Sequence, residues 1–132
     1  MIDYSNEIFN DAATVLRNTV DGITVIGEYV SSPTSFPTVT IDEISNVPKH
    51  RDSAKTEKYA TVRYRVQVFS NKSSGKRVEA RSIFNVIDTR FTELGFVRKT
   101  YTTTPDVYNS SVYQITATFD AVIDAEGVIY KN

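Results

Sequence analysis

The sequence predicts an α+β fold: a single domain over residues 1–132 in which two helices pack on one face of a largely antiparallel sheet. Two long segments with different periodicities support this prediction. Residues 57–70 alternate apolar and polar side chains, the period of two expected of a strand with one buried face. Residues 78–94 repeat apolar side chains every three or four positions, which is typical of an amphipathic helix. Only a short polar turn joins them, so we expect the two segments to pack against each other.

The first part of the chain adds a helix and two strands to this pair. Residues 3–20 place their apolar side chains on one stripe and predict the first helix. Strands are predicted at residues 23–30 and 38–44. We expect both to flank the strand at 57–70 in an antiparallel meander, because their connections are too short for a crossover helix.

The remaining segments complete the pattern. Strands are predicted at residues 96–104, 111–124 and 128–131, each bounded by glycine, proline or polar turn residues. The order is therefore helix, three strands, helix, three strands, which indicates helices on one face of a sheet. The polar segment at residues 45–57 is predicted to be a long loop, and long loops in compact domains are usually functional or mobile.

Length and composition are typical of one globular domain. The chain has 132 residues, of which 40% are hydrophobic, and a formal net charge of −1. That charge argues against a dedicated nucleic-acid binder, which usually carries a basic excess. The chain has no cysteine, which excludes disulfides and thiolate chemistry. No stretch approaches the roughly 20 apolar residues of a membrane span, so we expect a soluble protein in a reducing cytoplasm with no membrane partner.

No constellation of residues indicates an enzyme. The turn before the second helix superficially resembles a phosphate loop, but Ser70 and Arg77 stand where a Walker motif requires Gly and Ser or Thr. The plainer interpretation is a solvated turn in which Ser73 or Ser74 caps the helix. His50 is the only histidine, so a typical zinc site is not expected, and a Ser-His-Asp triad would have to include it. We predict no catalytic residue, no metal and no cofactor.

The second face of the long strand is polar and partly basic. It carries Arg63, Arg65 and Gln67, and Asp120 lies on the polar side of the strand at 111–124. One interpretation is a plain solvated sheet face. The other is a subunit interface or the lining of a pore. In either case, Arg63, Arg65 and Gln67 are the side chains most expected to contact something outside the domain.

Four stretches of the sequence carry a family resemblance. They are MIDYSNEIFNDAATVLR at the start, GEYV followed by SFPTVTIDE, the segment YRVQVFSNKSSGKRVEARSIFNVIDTRFTELGF, and the ending VYQITATFDAVIDAEGVIYKN. Together they resemble a family of small phage and prophage tail proteins, the tail terminators, also called tail completion proteins. The likeness covers nearly the whole chain, and its strongest piece is VFSNKSSGK leading into the amphipathic helix and LGF. The family has no catalytic signature, so the resemblance rests on the order of the segments.

The resemblance implies a structural protein of the virion tail. Family members assemble as a ring, commonly a hexamer, at the head-proximal end of the tail tube. The ring stops tube growth and presents a surface to the head–tail connector, and in contractile tails it also touches the last layer of sheath protein. The implied partners are therefore other copies of the chain, the tube protein, the connector protein and the sheath protein. The implied location is the neck of the tail, after assembly in the bacterial host cytoplasm.

Within such a ring, the predicted loop would reach a neighbouring subunit or the tube. Its basic side chains are candidate contacts to a subunit, to the tube or to DNA: Lys49, His50, Arg51 and Lys55. DNA would pass through the channel without sequence-specific binding, and a near-neutral protein suits that passage because tight phosphate contacts would retard it. Two alternatives remain, a head–tail connector adaptor or stopper and a small ligand-binding α+β domain.

Overall fold

The computed structural model of the chain describes residues 1–30, 33–49, 58–105 and 111–130. The described residues form two helices and one six-stranded sheet, so the predicted α+β class is confirmed. The elements in chain order are α1 (Ser5–Thr19), β1 (Thr24–Ile26), β2 (Thr38–Lys49), β3 (Tyr59–Ser70), α2 (Lys76–Leu94), β4 (Val97–Pro105), β5 (Tyr113–Asp124) and β6 (Ile129–Tyr130).

The sheet has the strand order β1-β2-β3-β5-β4, with β6 paired to β5. All neighbouring strands in the described chain are antiparallel except β1 and β2. β3 lies at the centre and pairs along its whole length with β5 and from Tyr59 to Phe69 with β2. The order β3-β5-β4 means that α2 leads the chain from the centre of the sheet to its edge.

The predicted position of the first strand in an antiparallel meander is wrong. β1 does not flank β3 but lies parallel to β2, with Thr24 opposite Thr38. Parallel neighbours usually need a crossover of a dozen or more residues, often a helix. Here β1 is only 3 residues long, and the described part of its connection to β2 contains no helix. β1 is also much shorter than the predicted strand at 23–30.

β2 corrects the predicted loop. The strand continues to Lys49, so residues 45–49 belong to the sheet. A bulge follows Glu43, after which the ladder with β3 resumes at Ser45. Polar residues are tolerated here because β3 pairs the backbone groups of β2 that point toward it, while the side chains of β2 stay near the edge of the sheet. The rest of the predicted loop, residues 50–57, lies outside the described residues.

The helices cover one face of the sheet, which we call the inner face. Its buried side chains come from three neighbouring strands: Val39, Ile41, Ala60, Val62, Tyr64, Val66, Val68, Ile115, Ala117, Phe119, Ala121 and Ile123. The predicted alternation of β3 is confirmed, because its apolar row is at most 2% exposed. The helix stripe is confirmed in Ile83, Ile87 and Phe91, which belong to the same core.

Aromatic rings form the centre of the core. Phe91 of α2 stacks on Phe119 with 4.9 Å between ring centroids, and it meets Phe96 edge-on at 4.8 Å. Tyr64 packs edge-on against Phe96 at 5.4 Å. Its hydroxyl donates a hydrogen bond to Glu43 Oε2 at 3.1 Å. Burial, followed by the charge of that carboxylate, raises the pKa of Tyr64.

The start of α2 differs from the predicted serine cap. Gly75 is the N-cap residue, with a φ of 83° that favours glycine, and neither Ser73 nor Ser74 caps the helix. Instead, the hydroxyl of Ser70 at the end of β3 donates to Glu79 Oε1 at 2.6 Å. This bond ties the last residue of the strand to the first turn of the helix.

Two of the polar contacts that attach the N-terminal segment to the rest of the domain involve the side chains of Arg90 and Tyr4. Arg90 of α2 donates from Nε and Nη2 to the two carboxylate oxygens of Asp11, at 2.6 and 2.7 Å. These hydrogen bonds lower the pKa of Asp11. Just before α1, the hydroxyl of Tyr4 donates to the carbonyl oxygen of Ala125 at 2.8 Å. Both contacts join segments far apart in the sequence.

Truncating the central ring should destabilise the domain strongly. Phe91 is 0% exposed, so Phe91→Ala should lower the free energy of unfolding by about 3–5 kcal/mol, through lost burial and the cavity left behind. Urea denaturation followed by circular dichroism measures the loss. Val78→Ala, on the same helix but 72% exposed, should change stability by less than about 0.5 kcal/mol. Equal effects of the two variants would contradict this packing of α2.

Candidate functional site

The face opposite the helices, which we call the outer face, is mainly polar. It is formed by rows of side chains that run across β2, β3, β5 and β4. The side chains of directly opposed residues lie on the same side of the sheet, so the register of the strands defines these rows. Its polar members include Thr38, Thr40, Asp42, Thr61, Arg63, Arg65, Gln67, Thr100, Thr102, Gln114, Thr116, Thr118 and Asp120. The polar second face expected from the sequence is therefore present.

Arg63 and Asp120 form an ion pair in the exposed part of this face. Nε and Nη2 of Arg63 donate to the two oxygens of Asp120 at 2.7 and 2.9 Å. The Arg63 side chain is 48% exposed, whereas that of Asp120 is 17% exposed. The hydrogen bonds from Arg63 lower the pKa of Asp120 despite its partial burial. Asp120 thus lies on the outer face as expected, and it neutralises one of the two arginines.

Arg65 is held from two sides. Its Nη2 lies 3.0 Å from Asp42 Oδ2, and its guanidinium carbon lies 4.7 Å from the centre of the Tyr29 ring. Such stacking of a guanidinium on an aromatic ring is favourable. Arg65 Nε and Asp42 Oδ1 are buried without a hydrogen-bond partner among the described residues. Arg65 is therefore less available to a partner than Arg63 is.

Gln67 lies below the surface. It is 3% exposed, and its Oε1 accepts a hydrogen bond from Thr40 at 2.9 Å. Near it, Thr38 donates to the carbonyl oxygen of Ser35, in the connection between β1 and β2. The same connection carries the aromatic ring described above, so it covers this end of the outer face. Of the three candidate contacts on β3, Arg63 is the one that stays openly accessible.

Of the four basic residues of the predicted loop, Lys49 alone belongs to a described element. Lys49 is the last residue of β2, where its backbone lies opposite Tyr59. His50, Arg51 and Lys55 lie outside the described residues. Their roles as contacts to a subunit, the tube or DNA stay predictions.

Among the described strands, both edges of the sheet are open along much of their length. Past Thr40, residues 41–49 of β2 pair only with β3 among the described strands. At the other edge, β4 pairs only with β5 within the same part of the chain. Ile44 and Val47 on the β2 edge are 41% and 53% exposed. These edges are not predicted from the sequence, although two exposed apolar residues in a polar segment are a weak signal of an edge.

A cleft of about 200 Å³ lies between α2 and the open edge of β4. We call it the α2–β4 cleft, and its lining residues are Arg81, Phe84, Asn85, Arg98 and Tyr101. The Tyr101 ring meets Phe84 edge-on at 5.0 Å. The cleft is not predicted from the sequence, because its two arginines belong to different elements that only the fold brings together.

Comparisons with known proteins do not assign the chain to a group. No protein-family model matches the sequence, and no curated protein matches it significantly. Within the described ranges, no helix is long and apolar enough to cross a membrane. No group of three or more histidine or carboxylate side chains lies close enough to hold a metal, as far as the structure describes the chain. The fold and surfaces thus define an α+β domain with an open-edged sheet and a polar outer face.

The ion pair on the outer face should make stability sensitive to acid. The folded state lowers the pKa of Asp120, so it favours the ionised carboxylate more than the unfolded chain does. The resulting stabilisation is present above the unfolded pKa, about 3.9, and is lost as the pH falls through the lower folded value. Asp120→Asn should be less stable than wild type at neutral pH and should lose less stability on acidification.

Thermal unfolding recorded from about pH 7 to about pH 3 measures this difference. Asp21→Asn is the matched control, because Asp21 is exposed and makes no ion pair with any described residue. It should follow the wild-type dependence on pH. If Asp120→Asn did so as well, the ion pair would not contribute to folding stability.

Proposed function

We propose that this chain is the subunit of a ring that terminates the tail tube of a phage or phage-tail-like particle. In this proposal the ring stops tube polymerisation and offers the joining surface for the head connector, or for the last sheath layer if the tail is contractile. Two things support it. One is the resemblance of the sequence to tail terminators over nearly its whole length. The other is a sheet whose two edges, as far as the structure describes the strands, are open and different.

The open edges carry the structural argument. β2 and β4 lie on opposite sides of one sheet, and the strand order makes them antiparallel to each other. Two copies placed side by side in the same orientation would therefore bring β4 of one beside β2 of the next in antiparallel directions. A contact between two different surfaces of the same chain is heterologous, and it generates rings when the rotation between copies closes. Six copies is the number that the resemblance implies.

The outer face suits the wall of a channel in such a ring. Arg63 is paired with Asp120 and Arg65 with Asp42, so each of these two guanidinium groups has a carboxylate beside it. High affinity for DNA depends on Lys and Arg side chains that neutralise phosphates. A wall of already neutralised pairs and hydroxyl groups would attract phosphates weakly. DNA could then pass without being retained.

The purified chain should form closed rings of uniform diameter, alone or on addition of tube protein. Light scattering gives the mass, and negative-stain electron microscopy shows the shape. Added to polymerising tube protein, the rings should cap the tubes and shorten them. A chain that stays monomeric in both conditions, or one that leaves tube length unchanged, would overturn the proposal.

Two further measurements test this proposal. The first separates a terminator from an adaptor or stopper, and the second tests whether the sheet edges or the outer face join the subunits. An adaptor or stopper would bind purified portal protein first, whereas a terminator should be retained by tube protein. Arg63→Ala should leave ring assembly unchanged, because the proposed contact runs through the sheet edges. Loss of the ring in that variant would mean that the outer face is itself the subunit interface.

A further inference from the structure

The α2–β4 cleft has an unbalanced positive charge next to a free strand edge. The Arg81 side chain is exposed and makes no hydrogen bond or ion pair with any described residue. Arg98 Nη1 lies 3.1 Å from Asp88 Oδ1, its one carboxylate partner in the described chain. Asp88 thus pairs with only one of the two guanidinium groups, and Arg81 has no carboxylate partner among the described residues. The cleft lies on the inner side of β4, where Tyr101 and Phe84 form an aromatic floor.

A strand added to β4 would direct side chains into this cleft. Directly opposed residues of paired strands lie on the same face, with Cβ atoms about 4.5–5.5 Å apart. The residue opposite Tyr101 would therefore stand on the inner side, near both Arg98 of β4 and Arg81 of α2. A carboxylate at that position would meet both guanidinium groups. The cleft selects an acidic residue on an incoming strand.

We propose that the incoming strand is β2 of a second copy and that Glu43 of that copy occupies the cleft. This inference rests on the proposed ring and identifies the contact that would join its subunits. β2 is the other open edge of the same sheet and runs in the required direction. Glu43 lies on the inner face, opposite Tyr64, and is partly exposed. The Tyr64 hydroxyl donates to its Oε2 at 3.1 Å and so helps to hold the carboxylate at the open edge.

Each of the two edges has one bulge, and a contact between them must accommodate both. The bulge in β2 follows Glu43, and the bulge in β4 follows Arg98. If strands with only one bulge between them paired residue for residue, inner side chains would stand opposite outer ones beyond the bulge. When Glu43 lies opposite Tyr101, the bulges of the two strands lie next to each other. The inner and outer faces of the two strands then match again beyond the bulges.

The resulting register is consistent along the whole contact. Residues 41–47 of one copy match residues 97–103 of the next, and the two segments have equal length. Inner residues then face inner residues, and outer residues face outer residues. At one end of the contact, Val47 stands opposite Val97, and both lie on the outer face.

Both ends of this contact have physical limits. At one end, β1 occupies the edge of β2 up to Thr40, so the incoming β4 can pair no further than Ile41. At the other end, Pro48 has no backbone N–H to donate. Between these limits, pairing would cover the exposed side chains of Ile44 and Val47. One contact of this kind would pair the free backbone N–H and C=O groups of both sheet edges.

A charge exchange between two variants tests the inference. Arg81→Glu and Glu43→Lys should each weaken assembly about tenfold or more, because each places like charges in the cleft. Mixing the two variants should restore assembly. At one interface the unchanged Glu43 meets the unchanged Arg81, and at the next interface the two substituted side chains meet with opposite charges. Light scattering measures assembly, and thermal unfolding checks that each variant is folded.

Two controls accompany this exchange. Glu43→Gln keeps a hydrogen-bond acceptor for Tyr64 and should weaken assembly less than Glu43→Lys does. Arg77→Glu makes the same charge change as Arg81→Glu one helical turn earlier, at an exposed position that does not line the cleft. It should assemble as wild type does.

Three results would contradict the cleft contact. In the first, Arg77→Glu weakens assembly as much as Arg81→Glu does. In the second, mixing the two charge variants fails to restore assembly. In the third, Arg81→Glu loses tube binding without losing self-association, which would assign the cleft to the tube protein.

A disulfide test measures the register directly. Only the introduced cysteines can crosslink, because the chain has no native cysteine. A chain carrying Val47→Cys and Val97→Cys should crosslink head to tail into a ladder of multimers on mild oxidation, since opposed strand residues lie within disulfide reach. Val47→Cys combined with Thr102→Cys should not, and a ladder from that pair would contradict the register. Dimers of the single Val47→Cys variant would indicate an isologous edge contact and overturn the inference.

The outcomes separate this inference from the proposed function. Wild-type rings that cap tubes, together with variants that assemble equally well, would overturn the cleft contact and leave the terminator proposal standing. Rings that depend on Glu43 and Arg81 but leave tube length unchanged would support the contact and overturn the terminator function. A wild-type chain that remains monomeric with and without tube protein would overturn both.

Discussion

The packing of α2 on the central strands sets the layout of every other surface of the domain. Phe91 brings the helix onto Phe119 of β5, and the segment just after the helix returns Phe96 to the same cluster. Burial of apolar surface contributes about 25 cal/mol per Å², which over a whole core far exceeds the contribution of partly exposed ion pairs. Because the helices cover the inner face, the outer face must either carry polar side chains or be covered by another molecule.

The outer face is divided by the connection between β1 and β2. At one end, Tyr29 and Ser35 of that connection contact Arg65 and Thr38, and Gln67 of the same end is buried. At the other end, Arg63 stays accessible and pairs with Asp120. Arg63 and Gln67 thus differ in exposure although both belong to β3. The accessible end is the part that could line a channel, and its arginine, Arg63, is already paired with a carboxylate.

The shortness of β1 has a consequence for assembly. β1 ends opposite Thr40, so the edge of β2 beyond that residue is left for another strand. Natural sheets usually protect such edges with bulges, proline or charge, and β2 carries a bulge and Pro48. A bulge that deters unrelated strands still accepts a partner with a bulge of its own. β4 has one at the matching place, which makes the two edges of this sheet suited to each other.

Local patterns were enough to predict the core but only part of the candidate site. The period of two in β3 and the spacing of Ile83, Ile87 and Phe91 identified the buried side chains correctly, because periodicity belongs to one strand or one helix at a time. The same alternation placed Arg63 on the outer face. The burial of Gln67, the parallel pairing of β1, the extension of β2 and the α2–β4 cleft were settled by contacts between distant segments. Strand partners and the path of a connection are not encoded in the period of a single element, so these features could not be obtained from the chain one segment at a time.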